Sequence, residues 1–428
     1  MVDGRVALIG YGVSNKAVYE FLKSYGCDFV IRSKDPVSDH NGIRCIVGDG
    51  YLDTEEEMVF RSPSCMPWRI RGKGAVFSEA SFSLPLLSCR KIGVTGSDGK
   101  TTVSTLINAF LREGGISSYM GGNNGYPLIK YLGSIRKKDT LVCELSSFQL
   151  VDMTPMLDTA VITGITENHL DIHCSMEEYA RSKANALVNC KCAVINADNA
   201  YADFFIKNAT GCGKTVLATI DESKVADGDT ATYVYPKNGY IYHGEEALFP
   251  VSCIHLMGNF NILNVCMAVG AVYPTVSADC IRRALDRFYG VPSRMEFTAI
   301  KNGISFYDSS IDSTPARTVA TLSAFERKKT LVLLGGYDKN LSYDSLREGL
   351  AGIKCAIISG ANSEKIYRSL KGVCKIALCA DLKESIKTAY RIAEEGDSVI
   401  LSPASASFDA FENYKERSEK FKETVRGL

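Results

Sequence analysis

The sequence predicts an α/β protein built from three domains. Short runs of aliphatic and β-branched residues alternate with helical stretches along the whole chain, which is the pattern of parallel sheets covered by helices. A chain of 428 residues also exceeds the length of one ordinary domain. We expect domain boundaries near residues 88 and 290, which gives domains at 1–88, 89–290 and 291–428.

The first domain begins as a Rossmann-like unit. A predicted strand over residues 5–9 runs into Gly10-Tyr-Gly12 and a helical stretch to about Tyr25, and a second strand follows at 29–31. Asn15 replaces the third glycine of a dinucleotide fingerprint, and Arg32 stands where an acid would hold the ribose of NAD. An NAD-dependent oxidoreductase therefore fits poorly, and we expect another nucleotide to meet the polar residues Ser14, Arg32, Ser33 and Lys34. Residues 85–88 are the expected linker to the second domain.

A phosphate-binding loop opens the second domain, which we expect to be a P-loop ATPase-like parallel-sheet domain. An apolar strand at 91–95 and a helical pattern at 103–112 flank the residues Gly96, Ser97, Asp98, Gly99, Lys100, Thr101 and Thr102. Glycines let backbone N–H groups converge on an anion, and the start of a helix adds partial positive charge. Lys100 would reach the β- and γ-phosphates of ATP, and the Thr101 hydroxyl would ligate Mg²⁺. The alternative is a glycine-rich turn with an incidental lysine.

Acidic and histidine residues follow two further strands of this domain. Glu144 ends a buried strand, at the edge of an open sheet where ligands bind, and His169 and His173 follow a strand at 160–165. The histidine spacing raises zinc as an alternative, but hard oxygen ligands suit an ATP site, so we rank Mg²⁺ above it. Lys183 lies in a helical pattern at 176–189, and taken alone it is predicted to be an exposed helix lysine.

The remaining segments complete the expected domains. A helical pattern at 278–288 closes the second domain, and strands at 330–334, 355–359 and 398–401 predict a third, Rossmann-like domain. The chain carries 49 basic and 49 acidic residues, and this balance argues against nucleic acid as a partner. The sequence has no secretory signal and no run of eighteen apolar residues, so we expect a cytoplasmic protein without a membrane segment. Its fifteen scattered cysteines are expected to be small buried hydrophobes.

The order and spacing of the phosphate loop, Glu144, His169 and Lys183 resemble the Mur ligase family of peptidoglycan synthesis. The resemblance extends over essentially the whole chain. Three stretches are similar to the family members that join D-glutamate to UDP-N-acetylmuramoyl-L-alanine. They are Gly121-Gly-Asn-Asn-Gly125, Glu144-Leu-Ser-Ser-Phe-Gln149 and the run from Leu401 through Ser407 and Phe408 to Phe411, with Tyr414 beyond it.

The resemblance implies a role for each matching residue. Thr101, Glu144 and His169 would ligate one or two Mg²⁺ ions, and Lys183 would carry a carbamate, which is an anionic ligand. The remaining contacts to ATP would come from Asn261, Asn264, Arg294 and Asp308. Asn123, Ser146 and Gln149, with Ser14, Arg32, Ser33 and Lys34, would hold the UDP-linked substrate. The D-glutamate pocket would contain Lys339, Ser407, Phe408 and Tyr414. Ser310 departs from the family, which usually has a lysine there.

The resemblance also implies the reaction. ATP would phosphorylate the substrate carboxylate, and Lys100 would be among the residues that act in that step. The amine of D-glutamate would then displace phosphate to form an amide. We expect a monomer that acts in cell wall synthesis. Two alternatives stay open: a sister ligase, which could be another Mur ligase or a folylpolyglutamate synthase-like enzyme, and a P-loop ATPase that is not a ligase.

Overall fold

The computed structural model describes residues 4–168, 170–209, 211–226, 231–339 and 341–428. Its strands form sheets of five, nine and six strands. The chain divides into two compact units, of which the first extends to Ile254 and includes Asn259–Phe288, while the second combines His255–Gly258 with Tyr289–Leu428. The predicted α/β fold with three sheet-containing domains is confirmed, whereas the boundaries near residues 88 and 290 stay a prediction.

The first sheet is parallel and has the order β3-β2-β1-β4-β5, as expected of a Rossmann-like domain. Its strands are β1 Arg5–Ile9, β2 Asp28–Ser33, β3 Arg44–Val47, β4 Met58–Arg61 and β5 Ala75–Ser78, and its helices are α1 Val13–Leu22 and α2 Glu79–Leu86. The expected linker at 85–88 is wrong at its start, because Pro85 and Leu86 belong to α2. Ala80 and Leu84 of α2 are fully buried, and Pro85, the seventh of its eight residues, costs the helix one backbone hydrogen bond because its nitrogen carries no hydrogen.

The second sheet belongs to the same unit and has the order β14-β13-β12-β11-β10-β9-β6-β8-β7. Its strands are β6 Arg90–Thr95, β7 Ser118–Gly122, β8 Thr140–Glu144, β9 Thr159–Ile162, β10 Cys192–Asn196, β11 Lys214–Ala218, β12 Thr232–Lys237, β13 Tyr240–His243 and β14 Glu246–Pro250. β12, β13 and β14 pair in antiparallel fashion, and the other pairs are parallel. The helices are α3 Lys100–Glu113, α4 Ser147–Leu150, α5 Leu170–His173, α6 Met176–Ala184, α7 Ala202–Asn208, α8 Asn259–Val272 and α9 Ala278–Leu285.

The second unit contains the third sheet, with the order β15-β16-β20-β17-β18-β19. Its strands are β15 Glu296–Lys301, β16 Ile304–Asp308, β17 Thr330–Leu334, β18 Cys355–Ile358, β19 Ile376–Leu378 and β20 Ser398–Leu401. Its helices are α10 Pro315–Leu322, α11 Ser345–Gly349, α12 Ser363–Leu370, α13 Leu382–Ile392 and α14 Tyr414–Arg426. Only β15 runs antiparallel to its neighbour, so the carboxyl ends of the other five strands share one edge.

The central strands are buried on both faces, which explains why they read as continuous apolar runs in the sequence. Every residue of β8 and β17 is buried. The cysteines are less uniform than expected: six are buried, eight are half-buried and Cys174 is exposed. Among the described residues, no helix combines the length and the apolar character that crossing a membrane requires.

Candidate active site

The phosphate loop connects β6 to α3 and can only be built with glycine at two positions. Gly96 and Gly99 have φ angles of +148° and +79°, in the region that L side chains rarely adopt. A Cβ at Gly96 would lie 1.9 Å from Oγ1 of Thr163, and one at Gly99 would lie 2.6 Å from Oδ1 of Asn264. The loop therefore brings backbone close to neighbouring side chains at the start of a 14-residue helix. Such a strand–loop–helix arrangement is suited to binding phosphate.

Lys100 folds back over this loop. Its Nζ donates to the carbonyl oxygen of Gly96 at 2.9 Å and to that of Ser97 at 2.7 Å. The loop itself is fixed from the neighbouring strand, because Thr163 Oγ1 donates to the Asp98 carbonyl at 2.5 Å and the Ser97 amide donates to Gly164 at 2.8 Å. An ammonium group therefore lies at the start of α3, where it would neutralise a phosphate.

Glu144 brings together two other predicted site residues. It ends β8 with only 3% of its surface exposed. Its Oε2 accepts a hydrogen bond from Thr101 Oγ1 at 2.8 Å, and its Oε1 accepts one from Asn123 Nδ2 at 2.8 Å. Carboxylate and hydroxyl oxygens are the ligands that Mg²⁺ prefers, and Mg²⁺ commonly takes only one or two protein ligands beside substrate phosphates. The donor set at Glu144 and Thr101 therefore fits Mg²⁺.

A zinc site does not form around the histidines that the structure describes. His173 is fully buried, its Nε2 lies 2.9 Å from Ser147 Oγ, and its ring stacks on Phe148 with centroids 5.5 Å apart. Within the described part of the chain, no group of three or more His, Cys, Asp or Glu side chains could hold a metal ion. His169 lies outside the described residues, so its expected role as a ligand stays a prediction.

Lys183 is the largest correction to the interpretation of single residues. It was expected to be exposed on a helix, but only 1% of its surface is accessible. Its Nζ donates to the Gly96 carbonyl at 2.9 Å and lies 4.5 Å from the ring centroid of Tyr179. Burial, and then the charge of Lys100, lower the pKa of Lys183 well below its usual value of 10.5. α6 thus directs a lysine with an increased neutral fraction at the phosphate loop.

The residues expected to hold the muramoyl group follow Glu144 in α4, and Asn264, expected to contact ATP, lies close to Gly99 of the phosphate loop. Ser146 and Gln149 form a capping box at the start of α4, in which Gln149 Oε1 accepts from the Ser146 amide at 2.9 Å. Asn261 and Asn264 are buried on α8, and Asn264 Nδ2 donates to Asn261 Oδ1 at 3.0 Å. The capping box fixes α4 directly after β8, so Ser146 and Gln149 follow Glu144 closely in space as well as in sequence.

The expected UDP residues lie at the carboxyl ends of β1 and β2. Ser14 is in the first turn of α1, Ser33 is partly buried and Lys34 is exposed. Arg32 is almost fully buried, and its Nε and Nη2 each lie 3.0 Å from a carboxylate oxygen of Glu56. Asn15, which replaces the third glycine of the dinucleotide fingerprint, has a structural role. Its Nδ2 donates to the carbonyls of Ile9, Gly10 and Phe60. The amide side chain thus ties the first turn to β1 and β4.

The second unit brings together the segments expected to bind D-glutamate. Tyr337 donates its amide hydrogen to the Ala406 carbonyl at 2.9 Å, which pairs the segment before Lys339 with the loop that carries Ser407. Lys339 is exposed, Ser407 is buried and Phe408 is 63% exposed, 6.2 Å from the Tyr337 ring. Tyr414 is the first residue of α14, which follows the loop that carries Ser407. Lys339 and Ser407 thus lie on neighbouring segments of one sheet edge.

Asp308 is held inside this unit and not at its surface. Its Oδ1 accepts from Ser310 N at 2.9 Å and from Ser310 Oγ at 2.5 Å, and its Oδ2 accepts from Ser418 Oγ. Burial raises the pKa of Asp308, and these hydrogen bonds oppose that shift. Arg294 is half-buried nearby in the chain. The expected contacts of Asp308 and Arg294 with ATP stay predictions.

Several structural residues escaped the sequence interpretation. Arg417 on α14 donates to the carbonyls of Ser310, Ser405 and Ala406, and so fixes the loop before Ser407. Tyr179 OH lies 3.0 Å from Ser97 Oγ of the phosphate loop. An arginine or tyrosine on a helix carries no local signal for such contacts, because its partners are distant in sequence.

Two protein-family models and several known ligases are similar to this chain. Residues 94–272 match the model of the Mur ligase middle domain, and residues 293–405 match that of the Mur ligase glutamate ligase domain. The chain is similar to UDP-N-acetylmuramoylalanine–D-glutamate ligases from Acetivibrio thermocellus (35% identity) and Clostridium perfringens (37% identity). Each alignment covers 99% of this chain and 96% of the relative.

Solved structures share the fold at low sequence identity. A pseudomurein peptide ligase type C from Methanothermus fervidus aligns with a TM-score of 0.56 at 16% identity, over 99% of this chain and 100% of the other. A UDP-N-acetylmuramoyl-L-alanyl-D-glutamate–2,6-diaminopimelate ligase aligns with a TM-score of 0.58 at 18% identity, over 99% and 91%. The two domain matches and the full-length relatives above 30% identity lead to one conclusion: the chain belongs to the Mur ligase family.

Proposed function

We propose that this protein is an ATP-dependent ligase that joins D-glutamate to UDP-N-acetylmuramoyl-L-alanine in cytoplasmic peptidoglycan precursor synthesis. The similarity to ligases with that activity, over 99% of the chain, carries the proposal. The cluster of Lys100, Thr101, Glu144 and Lys183 around one glycine loop supports it, because phosphoryl transfer depends on positioning and charge neutralisation.

The reaction makes a poor electrophile reactive. Direct attack of an amine on a carboxylate would have to expel oxide, which is a very poor leaving group. The γ-phosphoryl group of ATP is therefore first transferred to the carboxylate oxygen of the UDP-linked substrate. The amine of D-glutamate then attacks the carbonyl carbon of this acyl phosphate. Phosphate leaves with the electron pair of the C–O bond, the amine loses a proton, and the products are the amide, ADP and phosphate. Lys100 neutralises the phosphoryl oxygens during the first step.

Mg²⁺ fits the carboxylate and hydroxyl oxygens of Glu144 and Thr101, with His169 as a third expected ligand. When bound, Mg²⁺ withdraws charge from the phosphate oxygens of ATP. Glu144 is held for this role by the Asn123 amide. We further propose that Lys183 carries a carbamate, because carbamates form from neutral amines and burial lowers the pKa of this lysine.

The other substrate contacts are proposed from the resemblance to the Mur ligase family. Ser146, Gln149 and Asn123 bind the muramoyl part of the substrate, and Ser14, Arg32, Ser33 and Lys34 bind its UDP. Asn261, Asn264, Arg294 and Asp308 contact ATP. D-Glutamate binds Lys339, Ser407, Phe408 and Tyr414, of which Lys339 supplies the cation that a dicarboxylate needs. The domains at 1–88, 89–290 and 291–428 then take UDP, ATP and the amino acid respectively, in a monomer.

One assay tests the proposal. Phosphate release from ATP is expected only when UDP-N-acetylmuramoyl-L-alanine and D-glutamate are both present, with one amide formed per phosphate. L-Glutamate and L-lysine serve as matched amino acids and are expected to give no product. Activity with another amino acid would identify a sister ligase, and phosphate release without any acceptor would identify an ATPase.

A further inference from the structure

A buried arginine links the first sheet to the helix that follows Glu144. Arg61 is the last residue of β4, and none of its surface is exposed. All five of its N–H donors have acceptors. Nε donates to Asp152 Oδ2 at 3.0 Å, and Nη2 donates to Asp152 Oδ1 at 2.6 Å and to the Phe148 carbonyl at 2.8 Å. Nη1 donates to the carbonyls of Pro63 at 3.3 Å and Cys65 at 3.2 Å. The guanidinium group is therefore fully used.

These contacts join parts of the chain that are 87 and 91 residues apart. On one side they fix the turn after β4, and on the other they hold the end of α4. α4 has only four residues, too few to be stable by itself. Other side chains also hold α4: Ser147 Oγ lies 2.9 Å from His173 Nε2, the Phe148 ring stacks on the His173 ring, and Asn185 Nδ2 donates to the Leu150 carbonyl at 2.8 Å.

We propose that Arg61 is a positioning residue for the UDP-linked substrate. Arg61 is fully buried and its N–H donors are all bonded within the protein, so it would act on the substrate through α4, whose orientation relative to the first sheet it fixes, and thereby orient Ser146 and Gln149. This inference rests on the proposed function, which assigns those two side chains to the substrate. Bidentate pairing with Asp152 gives the link a defined geometry that a lysine or an apolar side chain cannot reproduce.

A purely structural role makes a different prediction from a positioning role. Replacing a buried ion pair by apolar residues often leaves stability unchanged, whereas removing one partner leaves the other uncompensated. The double variant Arg61→Met/Asp152→Ala is therefore expected to be at least as stable as Arg61→Met, in which the Asp152 carboxylate is left unpaired. If Arg61 positions α4, the double variant regains stability without regaining affinity for the substrate.

The test measures dissociation constants of the full chain by calorimetry. In Arg61→Met the Kd for UDP-N-acetylmuramoyl-L-alanine is expected to rise about tenfold, by analogy with residues that orient metal ligands. The Kd for ATP is expected to change less than about twofold. Arg61→Lys should fall between wild type and Arg61→Met. Lys354→Met, which breaks contacts with Asp397 and Glu394 in the other unit, is the matched control and should change neither constant.

Each outcome decides the matter. A folded Arg61→Met protein with wild-type affinity for the UDP-linked substrate, or one that loses affinity for ATP equally, overturns the positioning role. If Arg61→Met does not fold, Asp152→Asn and the double variant give the same comparison. A wild-type protein that binds ATP but not the UDP-linked substrate refutes the proposed function instead, so the two failures are distinguishable.

Discussion

Replacing Lys183 by methionine should separate activity from stability. The side chain is buried beside the phosphate loop, and methionine has a similar length without the amine. Its loss leaves no carbonyl unsatisfied, because the Gly96 oxygen also accepts from Lys100 at 2.9 Å. We therefore expect Lys183→Met to fold with wild-type stability or better at pH 7, while phosphate release falls on the order of 100- to 1000-fold, which is about 3–4 kcal/mol of transition-state stabilisation.

The difference in stability between Lys183→Met and wild type should also depend on pH, in a direction that follows from the pKa of Lys183. Because burial lowers the pKa of Lys183, the unfolded chain binds one more proton than the folded chain between the folded pKa and the usual value of 10.5. The penalty for burying the amine is complete below the folded pKa and disappears as the pH approaches 10.5. The stability advantage of Lys183→Met over wild type should therefore shrink with rising pH in that window, by at most about 1.4 kcal/mol per pH unit.

Urea unfolding in CO₂-depleted buffer at pH 7 and pH 9, together with coupled phosphate release, checks both parts. Lys191→Met is the control, since Lys191 is exposed in the same unit and pairs with Asp158 at 2.6 Å. The reasoning would be refuted by a Lys183→Met enzyme with activity near wild type, or by one that loses more than about 2 kcal/mol of stability at pH 7. For the carbamate, a short-chain carboxylic acid should partly restore activity to Lys183→Ala and not to Lys183→Arg.

Three further predictions follow from other parts of the structure. Lys100→Ala should abolish phosphate release and raise the Kd for ATP at least about tenfold, since Lys100 is the single cation in the sequence 96–102; an active variant would exclude the phosphate-loop assignment. Lys339→Ala and Ser407→Ala should raise the KM for D-glutamate about tenfold and leave the KM for ATP unchanged, with exposed Lys371→Ala as the control; a larger effect on ATP would contradict the pocket. Burial raises the pKa of Glu79 from 4.5 to about 7, so the contribution of Glu79 to stability falls as the pH rises through that range. In urea unfolding, the free energy of unfolding of Glu79→Gln should exceed that of wild type by up to about 3 kcal/mol at pH 8 and equal it near pH 4.5. A difference that does not change with pH would show that the buried carboxyl is not neutral.

The local motifs were predictable because their parts are neighbours in the chain. The strand, glycine loop and helix around Lys100 occupy consecutive residues, so their order is visible in the sequence without knowledge of any tertiary contact. The same holds for Glu144, which ends a strand whose five residues are all buried. Alternating apolar runs and helical stretches were also sufficient to predict three α/β domains, since burial on both faces of a parallel sheet dictates that pattern.

The boundaries of elements were less predictable. Pro85 was expected in a linker and lies in α2, because the burial of Ala80 and Leu84 outweighs the weak helix preference of proline near a helix end. The antiparallel strands β12, β13 and β14 were not foreseen at all. Short strands at the edge of a sheet depend on pairing with neighbours, which their own residues do not specify.

The sequence by itself therefore determined the phosphate loop, the class of fold and, through resemblance, the family. Only the tertiary structure decided which charged side chains are buried and what they bind. Lys183 has the local context of an exposed helix lysine, yet the packing of α6 brings it to the Gly96 carbonyl 87 residues away. Arg61 reaches Asp152 across 91 residues. Contacts between distant residues depend on how sheets and helices pack, and a local pattern of apolar and polar residues does not encode that arrangement.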